Sequence, residues 1–293
     1  MLIDEQFRRC VAFICVDIAD EETGEIKRVP AGTAFFVGMH LVGDRAALYL
    51  VTARHVVEAA RGHGAVYVRA NREQGGYTDS EIDPDVFRMH PIADVAAAAV
   101  DTTDGVDFIF IQDSYLMTDE LCESEAVSEG DELFFVGLFP KVPGTARSQP
   151  IVRFGRISLM PQEPLLLQMH YGSAERSACD AYLAESHSWG GYSGAPAFVV
   201  FSPLRRPGFN PSQPFALLGL VHGHYEIEQD VDFLGDALVT GKVPVNAGLS
   251  VVMPAQRITE VLMDDEWVAQ RDRICAQLTE SSADSTNPSA TVS

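Results

Sequence analysis

Apolar positions in this chain come in short runs of strand length, each broken by Gly, Pro or Asp. They fall at Val11–Ile18, Thr33–Val37, Ala47–Thr52, Val66–Arg69, Leu133–Val136, Ile151–Phe154, Leu165–Met169, Ala197–Phe201, Leu217–His222 and Leu249–Val252. Turn residues at this spacing, without the long helical periods of a βαβ rhythm, predict an all-β protein, a sandwich or a pair of barrels. Helical signals are confined to a turn at Arg54–Ala60 and to the C-terminus. There Pro254 opens a segment whose Ile258, Val261 and Leu262 share one helix face. A single terminal helix is therefore expected over about 254–279. The small, polar residues 280–293 cannot bury apolar area and are expected to form a disordered tail.

Composition narrows the function. The 293 residues, 46% hydrophobic and 22% charged, suffice for a sizeable core. A formal net charge of -21 repels phosphate backbones and anionic lipid, so neither nucleic acid nor a membrane surface is an expected partner. No apolar run has the length of a membrane span, and the first residues do not read as a secretory signal. Five cysteines, odd in number and scattered, fit reduced thiols in a cytoplasmic protein. Cys10 and Cys15 would face opposite sides of one strand. No CxxC pair or HExxH helix points to zinc, and no metal or other cofactor is expected. The acidic stretch Glu226–Asp232 lacks the glycine and terminal Glu of an EF-hand loop and reads as a solvated loop near a cleft.

Three segments carry chemistry. The run Ala47-Leu-Tyr-Leu-Val-Thr-Ala-Arg-His55 ends a strand by presenting a histidine at a helical turn. In Ala93-Asp-Val-Ala-Ala-Ala-Ala-Val100 an acid opens a small apolar run. Taken singly, the histidine reads more readily as a packed or surface residue, and the acid equally well as a surface residue opening a strand. The segment Trp189-Gly-Gly-Tyr-Ser-Gly-Ala-Pro196 is more specific. Glycines on both sides of Ser193 permit a turn that exposes the hydroxyl while aiming the N–H groups of Gly191 and Ser193 at one point, the arrangement of an oxyanion hole.

In this order the segments resemble the trypsin-like (chymotrypsin-fold) serine peptidases, in particular their bacterial high-temperature-requirement-like branch. Ala31–Val37 is similar to the strand before the family's histidine, Gly130–Gly137 to the strand opening the second barrel, and Asn246–Pro254 to the last strand. The resemblance implies one peptidase domain over 1–279, with antiparallel six-stranded barrels at about 10–115 and 130–254. It implies His55 as general base, Asp94 as its orienting partner, Ser193 as nucleophile, and Gly191 and Ser193 as oxyanion donors. It also places a specificity pocket along Glu185–Ser188 and Gly219–His224, where His187, His222 and His224 are candidate substrate-binding residues. An acidic side chain before the scissile bond would suit those histidines, although Glu185 opposes it and small or apolar side chains are favoured.

Departures and rivals remain. Tyr192 stands where many members carry Asp or Asn, which removes the acid that a newly cut N-terminus would bind; zymogen cleavage is not expected. Ala195 replaces a commoner glycine. Asp107 also opens an apolar run and competes with Asp94, which matches the small residues that should follow. An α/β-hydrolase elbow around Ser193 is disfavoured, because Ala195 breaks G-x-S-x-G and the chain continues as a strand. The expected activity is endoproteolysis of protein or peptide substrates. The alternative is a catalytically silent, or partner-regulated, peptide-binding module on the same fold.

Overall fold

The computed structural model describes residues 3, 5–20, 23–101, 104–170, 175–186, 190–201, 213–234 and 238–285. A short helix α1 (Gln6–Arg9) leads into the N-terminal half. Its strands are β1 (Val11–Ala19), β2 (Ile26–His40), β3 (Ala46–Thr52), β4 (Val66–Asn71), β5 (Tyr77–Ile82), β6 (Arg88–Met89), β7 (Ala96–Ala99) and β8 (Ile111–Gln112), with helix α2 (Arg54–Arg61) after β3. They hydrogen-bond in the order β5-β4-β1-β2-β3-β7-β6, and β8 joins β2 in parallel. The hydrophobic runs at Val11 and Thr33 become the central strands because six consecutive residues of β1 and eight of β2 are buried.

This half departs from the expected closed six-stranded barrel: it is an eight-stranded sheet whose outer strands, β5 and β6, do not pair. The physical reason lies between them. A 3₁₀ turn over Pro84–Val86 ends β5, and β6 is only two residues long before Pro91 stops it. Proline cannot donate to a ladder, so the chain turns away instead of zipping shut.

The C-terminal half meets the expectation. After helix α3 (Asp119–Ser124) come β9 (Glu132–Gly137), β10 (Ile151–Leu159), β11 (Leu165–Leu167), β12 (Ser177–Cys179), β13 (Tyr182–Glu185), β14 (Pro196–Val200), β15 (Phe215–Leu234) and β16 (Leu238–Pro254). Six of them close a barrel in the cyclic order β10-β13-β16-β15-β14-β9, while β11 and β12 form a separate pair. Phe135, Tyr192, Ala197, Leu218 and Val252 fill this barrel with essentially no exposure. The Glu226–Asp232 backbone, expected as a loop, continues β15 in register with β16.

The terminal helix is two helices, α4 (Ala255–Leu262) and α5 (Asp265–Ser285), so 280–285 is helical rather than tail; 286–293 lie outside the described residues. The first packs between the halves, against β7 and β15, and the second reaches back onto the N-terminal half. Trp267 packs against Tyr49 of β3 with tilted rings 4.8 Å apart, and Arg271 donates to the Tyr49 hydroxyl at 2.7 Å. No described helix is long and apolar enough to cross a membrane. All five cysteines are unbridged, and burial pushes the Cys10 and Cys15 thiols up to about 12.

Candidate active site

His55 is the second residue of α2, set against β2 by Val56 and Val57, which are buried. No side chain caps this helix locally; its N-cap is Ala53. The cap arrives from a distant loop instead. Asp94 Oδ1 accepts the His55 backbone N–H at 2.8 Å, satisfying one of the donors that a helix start leaves open. The other oxygen, Oδ2, accepts from His55 Nδ1 at 2.7 Å. One fully buried carboxylate thus fixes both the backbone and the ring of His55.

A second imidazole shares that oxygen, since His222 Nδ1 lies 2.5 Å from Asp94 Oδ2. A carboxylate can only accept here, so both rings carry their proton on Nδ1, and the neutral His55 ring presents a bare Nε2. Burial alone would raise the Asp94 pKa, but the His55 and His222 charges and hydrogen bonds overcome it and hold the group well below the carboxylate range. Burial likewise works against charge on His55; Asp94, with Glu58 adding, outweighs it and raises the pKa above 6.5.

Ser193 comes from the opposite half, in the turn before β14. Gly191 and Gly194 on either side have φ of +100° and +84°, values that L side chains avoid. A methyl on Gly194 would sit 2.1 Å from the Thr33 carbonyl oxygen and 2.5 Å from Thr52 Oγ1. That contact is where the serine turn meshes with the N-terminal half. Thr33 N–H donates to Ser193 O at 2.9 Å, and Thr33 Oγ1 donates to Gly191 O at 2.7 Å while accepting from Leu138 N–H at 2.9 Å. The N–H groups of Gly191 and Ser193 have no acceptor among the described residues. The Ser193 hydroxyl donates to His222 O at 3.1 Å.

A cleft of about 410 Å³ opens between the halves. His55, Ser193, His222, His224, His170 and Arg176 line it, with no Asp or Glu among its described lining residues. The structure therefore brings together His55, Asp94, Ser193, Gly191, His222 and His224. His222 lines the cleft as expected, but its Nδ1 is committed to Asp94, leaving Nε2 for a ligand. His187 lies outside the described residues, as does Trp189. Asp107 is elsewhere, paired with Arg9 at 2.5 Å and Arg147 at 3.3 Å. Tyr192 is buried in the second barrel, edge-on to Phe135 at 5.3 Å.

His55, Asp94 and His222 also form the one cluster of possible metal ligands among the described residues. Their 2.5 and 2.7 Å contacts are hydrogen-bond lengths made through Nδ1–H, whereas a metal needs bare nitrogens about 2.0–2.1 Å from the ion. Sequence reasoning missed Thr33, a fully buried polar residue whose hydrogen-bond partner lies 158 positions away.

A mostly β, chymotrypsin-like architecture with serine, histidine and aspartate converging at the junction of its halves defines the class. The profile of the trypsin-like peptidase domain matches residues 32–199, more than half of the chain, and the protein belongs to that family. Among solved structures it is similar to the MamO protease domain of Magnetospirillum magneticum, at 18% identity and a TM-score of 0.48, covering 87% of this chain and 96% of that one. It is also similar to the active form of the Rv3671c protease of M. tuberculosis, at 18% identity and a TM-score of 0.49, covering 88% and 81%. No curated protein matches the chain.

Proposed function

We infer that the protein is a serine endopeptidase in which His55, Asp94 and Ser193 form the catalytic triad and the N–H groups of Gly191 and Ser193 the oxyanion hole. The observation that carries this reading is Asp94, a fully buried carboxylate spent on His55 twice over, through its backbone at 2.8 Å and its ring at 2.7 Å. An imidazole so held keeps Nε2 free to take the serine proton and stabilises the resulting imidazolium. Ser193 then attacks the scissile carbonyl, and the two unbonded N–H groups take up the oxyanion. His224 and Arg176 act on the substrate side of the cleft, where the lack of described acidic lining residues favours side chains that accept hydrogen bonds. The unbridged cysteines support a reducing compartment.

One observation favours the alternative of a silent or partner-regulated module: the Ser193 hydroxyl bonds His222 O rather than the His55 ring. Reaction with a fluorophosphonate probe separates the two, because phosphonylation needs an activated serine. Labelling of the wild type, lost in Ser193→Ala, supports the peptidase. A wild type inert to the probe and to a denatured-protein substrate supports the silent module.

A further inference from the structure

The loop that presents Asp94 is organised by a residue with no place in the triad. His90 precedes Pro91 and is 5% exposed. Its Nδ1 accepts two backbone N–H groups, from Ile92 at 3.1 Å and Ala93 at 2.7 Å. Its Nε2 lies 2.6 Å from Glu260 Oε2 on α4. Its own N–H donates to Val95 O at 2.9 Å, closing the turn around Asp94, and its carbonyl accepts from Arg54 at 2.9 Å.

These contacts determine the tautomer. A nitrogen accepting two N–H bonds has no proton of its own, so the ring proton is on Nε2 and is donated to Glu260. The imidazole works as a brace: one nitrogen gathers the backbone of residues 92 and 93, and the other fastens that gathered turn to the C-terminal helix. Without it, the N–H of exposed Ile92 and the buried N–H of Ala93, directly before Asp94, both lose their acceptor, and the buried one costs enough to rearrange the turn. Asp94 supports His55 through two bonds at once, so a small rotation of the turn breaks both.

We propose that His90 is a positioning residue of the active site, setting the orientation of Asp94 through the Nδ1 acceptor and anchoring it to Glu260 through Nε2–H. The proposal rests on the triad reading for its kinetic consequence but not for its structural one. It distinguishes two near-isosteric substitutions. In His90→Asn, the amide oxygen falls near Nδ1 and can accept from residue 92 as in an Asx turn. In His90→Gln, the amide reaches toward Glu260 and no acceptor is left for Ile92 and Ala93.

The test compares wild type, H90N and H90Q in three measurements. ¹⁵N NMR of the wild-type ring should find the proton on Nε2; a proton on Nδ1 overturns the proposal whatever the variants do. Steady-state cleavage should give H90N within about threefold of wild type, and H90Q a loss of about 10²-fold confined to kcat with KM unchanged, the size expected from misplacing a catalytic group by about an ångström. NMR titration of His55 should show its pKa lowered in H90Q and preserved in H90N. Equal impairment of both variants, or wild-type kcat and His55 titration in H90Q, overturns the proposal. If the wild type proves inactive, the peptidase reading fails while the tautomer and the His55 titrations still decide the role of His90.

Discussion

The two halves of this molecule reach a comparable enclosure by different means. The C-terminal barrel closes through its own ladder, six strands in a ring. The N-terminal sheet leaves β5 and β6 unpaired and keeps an apolar cavity of about 290 Å³ lined by Phe36, Leu50, Val68, Ile82 and Phe108 among others. Its far side is held by the C-terminal helices: Glu260 on His90, Trp267 and Arg271 on Tyr49, Asp264 on Arg88 at 2.9 Å. The acid and base of the proposed triad therefore sit on the half that depends on added helices, and the nucleophile turn leads into a strand of the half closed by its own ladder. Closure by backbone pairing is indifferent to single side chains, whereas closure by clasping depends on a few of them.

That difference can be broken deliberately, and the largest effect lies in the open half. Asp94→Asn should lower kcat by about 10⁴-fold by favouring the wrong tautomer of His55, while Asp107→Asn, whose partners are Arg9 and Arg147, should leave turnover near wild type. Equal losses in the two variants would remove the distinction between them.

Truncating the clasp comes next. Trp267 is 6% exposed, between Tyr49 and Arg88, and Trp267→Ala should cost about 3–5 kcal/mol. Hydrogen exchange should then quicken in β3 and β7 while β9, β14 and β15 stay protected. Uniform loss of protection would show that both halves unfold as one unit.

The smallest effect is on pH dependence. Because the raised His55 pKa keeps the ring protonated to higher pH, kcat/KM should rise with pH through an apparent midpoint above 6.5. The stability contribution of His55 carries the opposite sign. The charged ring contributes below its unfolded pKa, and this contribution fades as pH climbs through the folded value. Asp94, with its depressed pKa, contributes above its unfolded value and loses that contribution as pH falls. A midpoint below 6.5 would contradict the Asp94–His55 coupling.

What the sequence disclosed follows the same physical line. The runs at Val11, Thr33, Ala47 and Leu217 were legible because burial on both faces demands continuous apolar residues. β5, reading Tyr-Thr-Asp-Ser-Glu-Ile, was not, since a polar edge strand is specified by its partner: Ile82 pairs with Val66 and Tyr77 with Asn71. β13 was hidden by its four-residue length. His55, Asp94 and Ser193 stood out because local motifs surround each. Thr33 and His90 did not, because they depend on partners 158 and 170 positions away, and a linear pattern holds no trace of such meetings.

The contact at Gly194 has a consequence for tolerances. In any assembly, positional error accumulates along the chain of rigid parts joining two points. Here that chain is short: Ser193 O to Thr33 N, one step along β2 to Ala34, across the ladder to Thr52, and three residues on to His55. The proposed nucleophile is thus registered against β2, the ladder partner of the strand that leads to the proposed base, not across the width of two domains. Movement of the second barrel as a body should then leave the separation of Ser193 and His55 nearly unchanged.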